Sequence, residues 1–181
     1  MSDPTHVTIW VTIAIPQPHA TVLANWRRRV GDPAAELIWP HVTLLPPTPV
    51  LVSDLHLIEE HLTAAADGVA PFVMHLSGTG TFRPTSPVVY VQVARGVSEC
   101  EALEAAVRAG PLKREIDFPY HPHVTVAHDI ADEALDDAYE GLSEFVARFP
   151  VDHLVLFSRG EDGRWQWRTE FTLGGSTRLA E

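Results

Sequence analysis

The tetrapeptide Pro40-His41-Val42-Thr43 recurs as Pro122-His123-Val124-Thr125, 82 positions further along a chain of 181 residues. The predicted elements around the two copies follow the same order. Each half reads as a strand, a helix, the Pro-His-Val-Thr strand, a second helix and a further strand. The repeat therefore predicts one domain over residues 1–181, built from two pseudo-symmetric lobes at about 1–80 and 81–181.

Hydrophobic periodicity and turn residues locate the elements of each half. Strands are predicted at residues 6–15, 41–45, 72–76, 88–94 and 123–127, with a closing hairpin over 151–158 and 165–173. Helices are predicted at residues 18–30, 53–67, 98–110 and 132–149. This mixture predicts an α+β fold, bilobal, with an antiparallel sheet and helices in each lobe.

The two copies of the motif present the same residues on the same face of a strand. Side chains alternate along a strand, so His41 and Thr43 share one face and Val42 takes the other. His123 and Thr125 do the same around Val124. Two lobes related by a pseudo-two-fold axis would bring both polar faces together across a central cleft.

Two imidazoles and two hydroxyls suit phosphoryl transfer. One neutral imidazole can take a proton from water, while the other, protonated, gives a proton to the departing oxygen. The threonine hydroxyls can donate hydrogen bonds to the phosphate oxygens, on which negative charge grows in the transition state. Protons and charge are then both handled by side chains, so neither a metal nor another cofactor is expected.

Composition restricts the partners of the chain. Twenty-four acidic residues against 13 basic ones give a formal charge of −11, which disfavours binding to duplex nucleic acid. No apolar run is long enough to span a membrane. The first five residues lack the pattern of a secretory signal, and Cys100 is the single cysteine. We expect a cytoplasmic monomer without a membrane partner.

The motifs His41-Val42-Thr43-Leu44 and His123-Val124-Thr125-Val126 resemble the signature of the two-histidine phosphoesterase superfamily, in particular its 2′-5′ RNA ligase-like branch. The resemblance implies a bilobal α+β fold with two antiparallel sheets lining a cleft. It implies metal-independent opening of 2′,3′-cyclic phosphates of nucleotides or RNA ends, and in some relatives the joining of 2′-5′ RNA ends. His41 and His123 would be the acid–base pair, and Thr43 and Thr125 the phosphate donors.

One departure from the family bears on the substrate. Relatives that act on RNA often carry basic residues around the cleft, whereas this chain is acidic and has a single lysine, Lys113. A small cyclic nucleotide or a short RNA end is therefore expected rather than a long RNA.

Other residues near the motifs are candidates for substrate binding. Phe82 could stack on a base and Arg83 could meet phosphate, from a loop between the lobes. Tyr120 and Trp39 closely precede the motifs and could wall the cleft, although core or rim packing would also explain them. Arg27, Arg28 and Arg29 favour a solvated helix face over a grip on an RNA tail.

Two further hypotheses stay open at this stage. His121, His123 and His128 could hold zinc, although the first lobe has no matching set. The chain could also bind a nucleotide or an RNA end with little turnover. His6-Val7-Thr8 has the same spacing as the motifs, but it lies on the opening strand and has no counterpart in the second half.

Overall fold

The computed structural model describes residues 5–174. Four of the five N-terminal residues that lack the pattern of a secretory signal lie outside the described residues. The chain alternates between strands and helices. The strands are β1 (His6–Ala14), β2 (His41–Leu51), β3 (Phe72–Thr81), β4 (Val88–Arg95), β5 (His123–His128), β6 (Val146–Val151), β7 (His153–Arg159) and β8 (Trp165–Thr172). The helices are α1 (His19–Arg29), α2 (Leu55–Asp67), α3 (Val97–Val107) and α4 (Asp132–Gly141).

All eight strands join one antiparallel sheet in the order β6-β3-β4-β5-β2-β1-β7-β8. The predicted α+β class is confirmed, but the two expected sheets are one. They are joined where β2 meets β5, through the single pair of Val42 with Val124. Pairing at this point satisfies backbone groups that would otherwise form two bare strand edges inside the molecule.

The strand order has a pseudo-two-fold axis between β5 and β2. Moving outward on both sides, β4 corresponds to β1, β3 to β7, and β6 to β8. The division of the chain into two lobes near residue 80 stays a prediction. Several strand pairs join residues from the two sides of this division. β3 pairs with β4 and β6, whereas β7 pairs with β1.

The helix predicted over residues 132–149 is wrong in its second half. α4 ends at Gly141, and Val146–Val151 forms the edge strand β6. A Cβ at Gly141 would lie 2.0 Å from the Trp26 ring, so a glycine is needed where α4 meets α1. Burial then alternates strictly along β6, which is the period of a strand and not of a helix.

Two other strands are longer than predicted. β2 continues through Pro46 and Pro47 to Leu51, because β1 pairs with it as far as His6 opposite Leu51. The first of two register shifts in this pair, between Ile9 and Val11, accommodates the two prolines. β3 runs to Thr81, so the loop before β4 starts at Phe82.

The main hydrophobic core lies between the four helices and one face of the sheet. Val42, Leu44, Val124 and Val126 project into this core and are at most 2 % exposed. Because side chains alternate, the histidines and threonines of the motifs lie on the opposite face. Within residues 5–174, no helix has the length and apolar character needed to cross a bilayer.

Candidate active site

His41 is the first residue of β2, and its ring is held by the backbone. Its Nδ1–H donates to the carbonyl oxygen of Trp39 at 2.7 Å. A carbonyl oxygen only accepts, so Nδ1 must carry the proton. The other ring nitrogen, Nε2, is then a proton acceptor in the neutral ring and a donor in the charged one.

His123 repeats this arrangement at the start of β5. Its Nδ1–H donates to the carbonyl oxygen of His121 at 2.6 Å. In both motifs the acceptor is the carbonyl two residues earlier, on the far side of the proline that precedes the histidine. Both histidines therefore have the same tautomer and the same free nitrogen, as an acid–base pair requires.

The register of β2 against β5 brings the two motifs together. Val42 lies opposite Val124 in an antiparallel pair. Continuing that register by one residue in each direction places His41 beside Thr125 and Thr43 beside His123, all on the face away from the core. The structure therefore brings these four residues together on one face of the sheet, and their roles in a shared site stay a prediction.

Burial of both rings favours their neutral forms. His41 is 7 % exposed, and its pKa is lowered from 6.5 to about 4, chiefly by burial. The hydrogen bond to the Trp39 carbonyl opposes this shift, whereas Arg27 and His123 contribute to it by charge repulsion. Burial also lowers the pKa of His123, and His121 acts in the same direction. A positive charge on His123 disfavours a second positive charge on His41, so the two histidines titrate as a coupled pair.

Trp10 on β1 adds a contact that sequence reasoning missed. Its Nε1–H donates to the Oγ1 of Thr43 at 3.1 Å, and its ring packs edge-on against His41 with centroids 4.6 Å apart. Since the indole occupies a lone pair of the Thr43 hydroxyl, the hydroxyl proton is left to point at another acceptor. Tyr120 fixes the backbone at the same place, because its hydroxyl donates to the Thr43 carbonyl at 2.8 Å.

An aromatic flank stands beside His123. The Phe82 ring lies perpendicular to the His123 ring at 4.9 Å, and Tyr90 lies 5.2 Å from His123 and 4.6 Å from Phe82. Gly80 makes room for this flank, since a Cβ there would approach the Tyr90 ring to 2.6 Å. Phe82 is thus placed next to the motif, and Tyr90 joins it without having been predicted.

Arg83 follows Phe82 and is already paired. Its guanidinium donates to Asp136 at 2.8 Å and lies 4.0 Å from Asp132, both on α4. Its Nε also donates to the Thr81 hydroxyl at 3.3 Å. A phosphate that recruits Arg83 must therefore compete with two carboxylates, which are themselves largely exposed.

The basic run on α1 is not a free cluster. Arg27 is buried and donates to Asp32 at 2.7 Å, Arg28 is bonded to Glu36, and Arg29 lies 4.8 Å over the Trp26 ring. The expectation of a solvated helix face is wrong for Arg27, whose buried charge lies close enough to His41 to lower the pKa of that ring.

Neighbours on the flanking strands complete the polar face. Thr12 lies opposite Thr43, and Tyr90 lies opposite Thr125. Thr12 is fully buried, and its hydroxyl has no hydrogen-bond partner within residues 5–174. A sequence signal for these residues exists, because Trp10 and Thr12 alternate with the apolar Ile9, Val11 and Ile13.

The other histidines singled out in the sequence differ in their distance from the motifs. The His121 ring stacks 6.1 Å from His123, whereas His128 ends β5 opposite Val88 and is exposed. No group of three or more His, Cys, Asp or Glu side chains is arranged to hold a metal ion between residues 5 and 174. His6 begins β1 opposite Leu51, far along the strand from Thr43.

Comparison with known proteins gives consistent results. A model of the 2′-5′ RNA ligase superfamily matches residues 15–163. A protein of Bacillus mycoides (strain KBAB4) that is named as a phosphoesterase is 29% identical over 153 residues, covering 83% of this chain and 88% of its own.

Solved structures share the fold. The structure of E. coli LigT complexed with phosphate has a TM-score of 0.67 at 17% identity, covering 93% of this chain and 98% of its own. The structure of TT0787 of Thermus thermophilus has a TM-score of 0.63 at 21% identity, covering 92% of this chain and 98% of its own.

Proposed function

Because the chain belongs to the 2′-5′ RNA ligase superfamily, we propose that it is a phosphoesterase that opens 2′,3′-cyclic phosphates of nucleotides or short RNA ends without a metal. The observation that carries this proposal is the paired geometry of His41 and His123. Each ring uses Nδ1 on a backbone carbonyl and keeps Nε2 for the reaction. The relatives named as phosphoesterases support the class of reaction.

The reaction follows from these positions. The Nε2 of one histidine removes a proton from water as the water oxygen forms a bond to phosphorus. The bond from phosphorus to one ribose oxygen breaks, and the Nε2–H of the other histidine gives that oxygen its proton. The product is a ribose with one phosphate monoester and one free hydroxyl, and the two histidines have exchanged protonation states.

The threonine hydroxyls stabilise the negative charge that develops on the phosphate. The hydroxyls of Thr43 and Thr125 lie one on each side of the histidine pair, as required to reach two non-bridging oxygens. The Trp10 N–H, at 3.1 Å, directs the Thr43 hydroxyl as a donor. Donors held in place before the reaction stabilise the developing charge more than water does, because they need no reorganisation.

Three further residues have proposed roles around the substrate. Phe82, at the ring edge of His123, offers a surface on which a base can stack. Arg83 can approach the phosphate when it leaves Asp136. Tyr120 donates its hydroxyl to the Thr43 carbonyl and packs against the main core, so its proposed role is to hold the backbone of the first motif in place.

The decisive experiment is a panel assay in EDTA. Four nucleoside 2′,3′-cyclic phosphates, ADP-ribose cyclic phosphate and a short RNA with a cyclic end are tested with wild type, His41→Ala and His123→Ala. Wild type should turn over at least one substrate, and each variant should be slower by about 10²- to 10⁴-fold. His56→Ala is the control, because His56 is an exposed histidine on α2.

Each other outcome has a definite meaning. Full activity in both histidine variants would refute the acid–base pair. Tight binding of a cyclic phosphate without any product would make the chain a binding module. Activity that EDTA removes and a divalent metal restores would replace the proposal with metal-dependent hydrolysis.

A further inference from the structure

A cavity of about 470 Å³ lies beside the first histidine motif. It is bounded by the start of α1, by the segment that leads into β2, and by β8. Trp39 and Pro40, which directly precede His41, form part of its wall. Trp165 and Trp167 on β8 form the facing wall.

The Trp10 ring lies between the reaction centre and one wall of the cavity. The Trp10 ring touches His41 on one side, with centroids 4.6 Å apart, and Trp165 on the other, with centroids 4.9 Å apart. One indole ring therefore separates His41 from the cavity wall at Trp165. On the opposite side of the centre, Phe82 and Tyr90 stand against His123. The reaction centre thus has an aromatic flank at each histidine.

The walls of the cavity suit a flat ring. Trp39 and Trp167 are 37% and 42% exposed and meet edge to face with centroids 6.2 Å apart. Indole faces left open beside a cavity are a stacking surface for a planar aromatic group. Trp167 is additionally supported from behind by Phe157 at 5.3 Å, so its ring has a fixed orientation.

The polar groups of the cavity favour a base over a phosphate. Arg28 is bonded to the Glu36 carboxylate, and Arg164 donates to the Glu36 carbonyl at 3.0 Å while lying 3.8 Å from Asp162. Both cations are therefore balanced by neighbouring carboxylates. Gln17 accepts bonds from Thr21 through Oε1, which leaves its amide N–H groups as donors for the edge of a ring.

We propose that this cavity is a nucleobase subsite, so that the chain prefers a cyclic phosphate that carries a second base over a mononucleoside cyclic phosphate. This inference rests on the proposed function. A mononucleoside has one base and can occupy one flank, whereas a dinucleotide with a terminal cyclic phosphate can occupy both. The second base lies in the tryptophan cavity, and the cyclic phosphate lies between the histidines.

The test is a ratio of kcat/KM values for two substrates. One is adenosine 2′,3′-cyclic phosphate, and the other is the diadenosine dinucleotide that ends in the same cyclic phosphate. Wild type should favour the dinucleotide. Trp167→Ala should lower the ratio by about 5- to 100-fold, the effect of losing one base–aromatic stack. Trp167→Phe keeps an aromatic ring and should restore most of the ratio.

A second variant tests the cavity from its other wall. Ala24→Phe places a ring into the space from α1 and should lower the same ratio without removing any tryptophan. Leu57→Ala is the control, since it truncates an exposed apolar side chain on α2, outside the cavity. Circular dichroism and thermal unfolding establish that each variant is folded.

The outcomes separate this inference from the proposed function. If wild type opens the mononucleoside cyclic phosphate but shows no preference for the dinucleotide, the subsite is refuted and the proposed function stands. If Trp167→Ala lowers kcat/KM for both substrates by the same factor, the cavity is not a base subsite. If wild type opens neither of these two nor any other substrate of the EDTA panel, the proposed function itself fails.

Discussion

Val42 of β2 lies opposite Val124 of β5, and this pair alone connects the two halves of the sheet within residues 5–174. Both valines are fully buried against the helices. Their burial fixes the register, because a slip by one residue would turn the histidines and threonines toward the core and the valines toward the cleft. The hydrophobic core therefore sets the positions of the reacting groups on the other side of the sheet.

Trp10→Phe should lower kcat by about 2- to 10-fold, the effect of losing one hydrogen bond, because the ring stays while the donor to Thr43 is removed. The measurement is kcat with the best substrate of the panel. The same substitution in a Thr43→Val background should have little further effect, since Trp10 would no longer have its acceptor. Equal losses in both backgrounds would show that Trp10 does not act through Thr43.

The pH dependence of kcat/KM should be bell-shaped with its maximum below pH 6.5. One histidine must be neutral and the other charged, so activity is greatest midway between the two pKa values of the free enzyme. Burial lowers both, that of His41 to about 4. A profile measured in EDTA from pH 4 to 9 tests this. A maximum above pH 7 would contradict it, and the two apparent values belong to the pair.

Stability should fall as the pH falls from 6.5 toward 4. In the unfolded chain His41 takes up a proton near pH 6.5, whereas in the folded chain burial keeps it neutral down to about 4. The unfolded state therefore binds more protons in this window, and the contribution of His41 is complete above pH 6.5.

Urea unfolding at several pH values measures this effect. The free energy of unfolding should lose at most about 1.4 kcal/mol per pH unit through His41. The slope should be shallower in His41→Gln, and His56→Gln, at an exposed position, should keep the slope of wild type. An unchanged slope in His41→Gln would mean that the ring does not resist protonation.

Thr12→Val should stabilise the protein by about 1–3 kcal/mol. The Thr12 hydroxyl is fully buried without a partner within residues 5–174, and valine has the same shape without the polar group. Thr79→Val is the matched control. Its hydroxyl donates to the Tyr139 carbonyl at 2.8 Å, so its loss should destabilise by about 1 kcal/mol. A destabilised Thr12→Val would show that the hydroxyl has a partner after all, such as an ordered water.

Gly80→Ala should destabilise the protein by about 1–3 kcal/mol and lower kcat/KM, because the new methyl would meet the Tyr90 ring at 2.6 Å. Displacing Tyr90 also displaces its contacts with Phe82 and His123. Gly68→Ala provides the comparison, since its nearest neighbour would be 3.6 Å away. If Gly80→Ala were as stable and active as Gly68→Ala, the flank would have no influence on His123.

The features that can be predicted from the sequence are those that depend on neighbouring residues within one strand or helix. The repeated tetrapeptide locates both histidines and both threonines on strand faces, since alternation is a property of each strand by itself. The region 146–151 is mistaken for helix because its strand character depends on pairing with β3, and the end of α4 depends on the fit of Gly141 against Trp26.

The residues around the motifs are harder to predict for the same reason. Trp10 and Tyr90 become neighbours of the motifs only through the registers of β1 with β2 and of β4 with β5. The register between two strands depends on how distant segments pair, and local patterns in a single sequence do not reveal it. Phe82 can be found because it lies in the loop between two predicted strands, whereas the pairing of Arg83 with Asp136 requires the position of α4.

Because strands from the two halves of the chain pair with each other, the sheet can form completely only late in synthesis. β1 is made long before β7, but its outer edge pairs with β7, residues 9–12 against 155–158. A nascent chain that has already exposed both histidine motifs still lacks this strand, and Trp10 still lacks Phe157 beside it. Such long-range pairing forms late and leaves a bare strand edge until then. The reaction centre is therefore completed only after β7 has been made, and a product truncated before β7 has an unfinished sheet.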